Sequence, residues 1–236
     1  MRRTLLDMVQ SILSDMDSEE VNSISDSVEA EQIANVIKDT YFNIIAAREI
    51  PEHKKVFRLT SLSDSTRPTH FKYPDNVKHL ENFQYNVGGD YKEIKFVDPF
   101  VFINLMDETA KQVGTVADNI PLFVYDDRKP SYYTSFDDEY IVVDAYDSSV
   151  EATLSASKTR CYGSVYPTFT ISDSFTPDLD DTLLPMLLAE AKSVCFSLFK
   201  SGSDPKVEQA ARRLKSYVQN DQYKTIRENK RPKYGR

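Results

Sequence analysis

Apolar residues recur at helical spacing in four stretches of this 236-residue chain, and between the second and third the period changes to that of strands. Leu5, Leu6, Met8, Val9, Ile12 and Leu13 follow Thr4, and Asp7 three positions after Thr4 completes a capping-box pattern. This predicts a helix over about 4–15. After the polar stretch DMDSEEVNSISDS, Asp26 with Glu29 opens a second helix, over about 26–50. Its Ile33, Val36, Ile37, Thr40, Tyr41, Ile44 and Ile45 make one stripe, and Pro51 closes it. Each helix is apolar on one face only, so each needs a partner surface, and the short connection makes them neighbours.

From Val56 to about 170 the pattern is one of short β-branched and aromatic runs separated by turn signals. VFRLTSL, VKHLENFQYNV and DYKEIKFV read as strands, the last two joined as a hairpin across Gly88, Gly89 and Asp90. Asp98 and Pro99 look like the cap and first residue of a short helix through Met106. IPLFVYDD, PSYYTSF, EYIVVDAY and VEATLSASKTRCYGSVYP follow as further strands, with turns at 127–130 and 136–138. The helical period returns at Asp181 and Thr182 with the most apolar helix of the chain, about 181–201, ending near Gly202. Asp204 and Pro205 then cap a last amphipathic helix, about 204–219. The order of elements predicts an α+β protein: amino- and carboxyl-terminal helices forming a bundle, with a β-rich insertion.

The last fifteen residues, QYKTIRENKRPKYGR, carry six Lys or Arg against one Glu, while the whole chain has a formal charge of −8. Subtracting the tail's +5 leaves −13 on the rest, a body that repels phosphate. With no apolar face to bury, residues 222–236 are expected to form an extended basic tail, separate from a body spanning 1–221, that orders only on a partner. No run approaches the ~20 apolar residues of a spanning helix, and the amino end turns acidic without a cleavage-site pattern, which predicts a protein made in the cytoplasm and no membrane partner. Cys161 and Cys195 give no disulfide framework and read as small buried hydrophobes.

The search for chemistry returns little. His53, His70 and His79 have no ligand-spaced partners, and G-x-S-x-G, P-loop and G-x-G-x-x-G patterns are all missing. The carboxylates Asp137, Asp138 and Glu139, and Asp178, Asp180 and Asp181, lack EF-hand spacing; they read as turn and helix-start capping groups. No catalytic, metal or cofactor residue is assigned, and the expectation is a protein that is not an enzyme and carries no cofactor.

Residues 4–45, residues 121–200 and the tail, taken together, resemble the head-to-tail adaptor proteins of short-tailed bacteriophages, also called tail tubular protein A or gatekeeper-ring proteins. The most family-like wording is Pro130, Tyr132, Thr134, Ser135, Phe136, Asp137 and Asp138, with Phe175, Pro177 and Leu179. The resemblance implies a virion structural protein at the head-tail junction. Its copies would form a ring, often a dodecamer in such families, between the portal protein and a tail nozzle or tube protein. Double-stranded DNA would pass through the lumen without sequence-specific binding. The resemblance also implies that the tail docks on the portal, which makes Tyr223, Lys224, Arg227, Lys230, Arg231, Lys233, Tyr234 and Arg236 the candidate docking residues. Another tail or virion component, or an α+β enzyme without a recognisable motif, stays open as an alternative.

Overall fold

A computed structural model describes residues 3–107, 111–116, 120–200 and 205–229, with backbone alone for 107, 111–116, 120–121 and 220–229. The protein is α+β, and contacts divide it into two compact units: Met1–Glu52 with Pro167–Arg236, and His53–Tyr166.

In the first unit, α1 (Leu5–Asp15) begins with the capping box that its sequence predicts. Thr4 Oγ1 accepts from the Asp7 N–H at 3.1 Å, and Asp7 accepts from the Thr4 N–H at 3.0 Å. The next free donor of the helix, the Leu5 N–H, is satisfied from across the chain by the Phe175 carbonyl at 2.7 Å. Asp173 joins the same strap, its carboxylate accepting from the Ile24 N–H at 2.9 Å. α2 (Val28–Ala47) is capped by Ser27, whose Oγ accepts from the Ala30 N–H at 3.1 Å. Asp26 serves instead the 3-10 turn Ile24–Asp26, accepting from the Asn22 and Ser23 N–H groups at 2.9 and 2.8 Å. The helix also ends before Pro51: Arg48 is already extended, which lets the buried Ile50 turn back onto the core.

α4 (Leu184–Phe199) starts three residues after the expected Asp181, because Asp180 holds a turn there. Its carbonyl accepts from the Leu183 and Leu184 N–H groups, and its carboxylate accepts from the Thr182 hydroxyl at 2.6 Å. Apolar faces of α1, α2 and α4 share one core that includes Leu5, Ile12, Ile33, Ile37, Tyr41, Leu187 and Cys195. α5 (Pro205–Asn229) adds Val218 and packs on α4. Gly202 and Asp204 lie outside the described residues. The expected boundary at 219–222 is corrected: α5 continues to Asn229, so the first part of the tail is helical. The reason is local, since between Pro205 and Pro232 no Gly or Pro interrupts a run rich in Ala, Gln, Lys, Arg and Glu.

The second unit holds a mixed eight-stranded sheet and a two-stranded hairpin. Its strands are β1 (Lys54–Phe57), β2 (Thr60–Ser61), β3 (His70–Lys72), β4 (Val77–Val87), β5 (Asp90–Phe96), β6 (Lys111–Val116), β7 (Ile120–Val124), β8 (Tyr132–Thr134), β9 (Tyr140–Val143) and β10 (Thr159–Val165). The order in the large sheet is β1-β10-β4-β5-β8-β9-β3-β2, antiparallel except for β5 on β8. VFRLTSL is therefore two strands, broken where the buried Leu59 gives its N–H to Thr159 Oγ1 at 3.1 Å. Those two strands are the opposite ends of the sheet order, yet two residues link them, so the sheet curls until its edges come close. Phe71, Phe83, Tyr85 and Tyr133 fill the curl, with Phe83 edge-on to Phe71 and to Tyr133 at centroid separations of 6.0 and 5.4 Å.

The β4–β5 hairpin turns on Gly88 and Gly89, at φ 65° and 99°, conformations that suit glycine. Asn86 Oδ1 accepts from the Gly89 N–H at 3.0 Å and closes it. VEATLSASKTRCYGSVYP is only half strand: 150–158 is a loop and a 3-10 turn. Glu151 accepts from the Tyr85 hydroxyl at 2.6 Å and from Lys158 Nζ at 2.8 Å, and the Ser155 N–H donates to Tyr85 Oη at 2.9 Å. Those bonds hold the loop down over the strand end. α3 (Pro99–Asp107) is capped by Asp98 as expected and lays Phe102 and Met106 on Leu122 and Val124.

Candidate docking surfaces

Of the residues expected to dock, Tyr223, Lys224 and Arg227 lie on the last turns of α5; Lys230, Arg231, Lys233, Tyr234 and Arg236 fall outside the described residues. α5 touches its own core through Leu214 and Val218, and Lys215 Nζ meets Glu190 at 3.1 Å on α4. The sequence that continues the spacing of Leu214 and Val218 is Asp221, Thr225 and Asn229, which is polar. Eleven residues of helix, about 16 Å at 1.5 Å per residue, follow Val218 to Asn229. Tyr217, just before them, is exposed.

The β-rich unit offers two further surfaces. One is the outer face of α3, where Phe100, Val101, Ile103 and Leu105 are exposed, Phe100 at 73%. The helix PFVFINLMD is apolar on both sides, and only Phe102 and Met106 are covered.

The other is an open cleft of about 840 Å³ between the start of β4 and the β8–β9 turn. It exists because β5 changes partner. From Asp90 to Ile94 it pairs with β4, then Lys95 and Phe96 pair with Tyr132 and Tyr133 of β8. β4 pairs with β10 from Val77 to Tyr85 on its other side, while its pairing with β5 begins only at Phe83. Tyr73, Phe96 and Tyr133 wall the cleft, Phe96 being 60% exposed. Burial pushes the Tyr73 and Tyr133 phenols up to about 12, so both stay neutral.

Asp137, Asp138 and Glu139 form its acidic lip. Asp137 Oδ1 accepts from the Glu139 and Tyr140 N–H groups at 3.0 and 2.9 Å, the capping role its sequence suggests, and Asp138 takes a left-handed φ of 59°. Among the described residues no ion pair neutralises these three carboxylates. The wording around Pro130 to Asp138 thus builds β8 and this lip. Nothing in the sequence marks the cleft, since it depends on where β5 leaves β4.

The remaining candidates are structural. His53 and His70 are buried and His79 is exposed on β4. Among the described residues no group of three His, Cys, Asp or Glu side chains is placed to hold a metal ion. Cys161 on β10 and Cys195 on α4 are free and buried, and burial pushes each thiol up to about 12, as inert core groups require. No described helix is long and apolar enough to cross a membrane. No protein-family model and no curated protein matches this chain.

Proposed function

We propose that this chain is a ring-forming adaptor of a short-tailed bacteriophage virion, seated between the portal and the tail nozzle and continuing the channel for DNA. The observation that carries the reading is α5, a helix whose last core residue among those described is Val218 and whose backbone runs on to Asn229, into the most basic segment of an acidic chain. A helix of that kind is an arm in search of a partner groove, and its continuation by Lys230, Arg231, Lys233 and Arg236 suits an acidic one. The arm's docking element on this reading is a helix through Asn229 followed by a basic end. Repetition around a ring would make a weak arm into a firm joint. The acidic body suits a wall past which DNA slides, because phosphates are repelled rather than held. The exposed face of α3 supplies apolar area of the sort that subunit or nozzle contacts bury.

The test is copurification with the portal ring of the same virus, followed by negative-stain imaging. The intact chain is expected to add a ring of density below the portal. A chain ending at Gln222 is expected to stay folded and lose portal attachment at least tenfold. Unchanged attachment of the truncated chain would move the docking surface to the body, and no ring with the intact chain would end the adaptor reading.

A further inference from the structure

We infer that the cleft of the β-rich unit is a strand-addition groove for residues 230–236 of a second copy of this chain. The inference does not depend on portal docking, and a given end fills either a portal groove or this cleft, one at a time. Its first support is the backbone. Along residues 79–81, β4 is covered on one side by β10, and on the other side no strand among the described residues lies between it and the cleft. An open strand edge at the bottom of a cavity is the setting in which an extended peptide gains main-chain hydrogen bonds.

The second support is the match of occupant to walls. Residues 230–236, KRPKYGR, contain four cationic side chains and no acidic one, along with an aromatic ring and a proline. Lys72, Lys78 and His79 line the cleft beside Asp75 and Glu81, and the lip adds Asp137, Asp138 and Glu139, three carboxylates with no ion-pair partner among the described residues, so acidic groups outnumber basic ones there. Exposed Phe96, with Tyr73 and Tyr133 behind it, provides ring faces for Arg or Tyr. A proline is tolerated in an added strand at a position whose N–H would point away from β4. Seven extended residues span about 23 Å, enough to follow 79–81 and cross the acidic lip. A basic end and an acidic groove carried by one chain form a heterologous pair, so each copy can lend its end to the next, and the second copy is the occupant.

The experiment uses a chain ending at Asn229 as receptor and a fluorescent peptide of residues 230–236 as probe, at about 150 mM salt, where long-range charge attraction is screened. Saturable binding is expected. It should fall at least tenfold in the receptor variant Asp75→Lys/Glu139→Lys, both residues lining the cleft and exposed, with thermal melting unchanged. A peptide with a methylated backbone nitrogen at Lys233 keeps every charge and should also bind at least tenfold more weakly. Absence of binding, or equal binding of the methylated or a scrambled peptide, would overturn strand addition. Light scattering then decides the source: the full chain is expected to self-associate with rising concentration and the shortened one to stay monomeric. A full chain that stays monomeric while the peptide binds the shortened one would mean that the tail closes on its own cleft, overturning the second copy. Neither arm involves the portal, so failure here leaves the adaptor test untouched.

Discussion

In the helical unit, aside from the phenol of Tyr41, the one buried polar residue among those described is Thr40, whose hydroxyl donates to the Val36 carbonyl at 2.8 Å within its own helix. In the β-rich unit His53, Thr69, His70, Thr134, Asp144, Thr159 and Ser164 are all buried. The contrast follows from how each unit satisfies its backbone. Helices pair their own N–H and C=O groups, so α1, α2 and α4 can meet through side chains that are almost all apolar, Tyr41 bringing the one phenol among them. Short strands joined by irregular loops leave backbone groups over, and Asp144 and Thr159 take four of these between them. Asp144 Oδ1 accepts from the Ser131 and Tyr132 N–H groups at 2.8 and 3.0 Å. Thr159 Oγ1 accepts from the Leu59 N–H and donates to the Ala156 carbonyl at 2.7 Å. The helical unit therefore depends on packing, and the β-rich unit on packing plus protonation state.

The sharpest way to break the packing side of the contrast is Leu187→Asp. Leu187 is fully buried among the three helices, whereas neighbouring Leu188 is only half-buried. An unpaired carboxylate there should cost about 5 kcal/mol, comparable to a domain's whole stability. Loss of the cooperative helical signal in circular dichroism is the expected outcome, and a soluble, cooperatively melting variant would refute the placement of α4.

Next in size is Gly163→Ala on β10, where an added Cβ would sit 2.1 Å from the His79 carbonyl oxygen. The strands must separate locally, at a cost of about 3 kcal/mol. Urea denaturation read by tyrosine fluorescence should show the loss; a variant as stable as the parent would mean that β10 and β4 are not held this closely.

The smallest effect concerns pH. Burial, with Arg67 nearby, pushes the His70 imidazole down to about 4 against the pull of Asp137 and Asp64. Its folded value lies below its unfolded value of about 6.5, so between the two the unfolded chain binds more protons. Stability is whole above that window and falls as pH drops through it, by about 2 kcal/mol from pH 7.5 to pH 5. Burial raises the Asp144 carboxyl, which acts in the opposite sense above its unfolded value, so the comparison needs a control. His70→Gln keeps Asp144 and should lose less stability on acidification, as measured by urea midpoints at both pH values. Equal losses in parent and variant would remove His70 from the explanation.

Several elements were legible because their causes are local. Thr4 and Asp7 three apart make a capping box wherever a helix follows, and Gly88-Gly89 between alternating runs makes a hairpin whatever surrounds it. Asp98 before Pro99 likewise sets the start of α3. Errors fell where two local solutions compete. Asp26 and Ser27 both suit an N-cap, and the adjoining turn claimed the aspartate. VEATLSASK alternates like a strand, yet Glu151 is held by Tyr85, a residue 66 positions away. The helical reach of α5 was hidden by charge, since a basic run reads as solvated tail although Lys, Arg, Gln and Glu are good helix formers.

By itself, then, the sequence determined the α+β class, the amphipathic helices at both ends, the strand-rich middle and the basic end, because periodicity, caps and turn residues act within a few positions. Only the tertiary structure decided that a seven-residue stretch supplies both edges of one curled sheet, and that α3 keeps an uncovered apolar face. It alone decided that β5 deserts β4 for β8 and opens a cleft beneath an acidic lip. Strand partners and cavities are choices among distant segments, settled by which side chains fill the common core, and no window of neighbouring residues contains that choice.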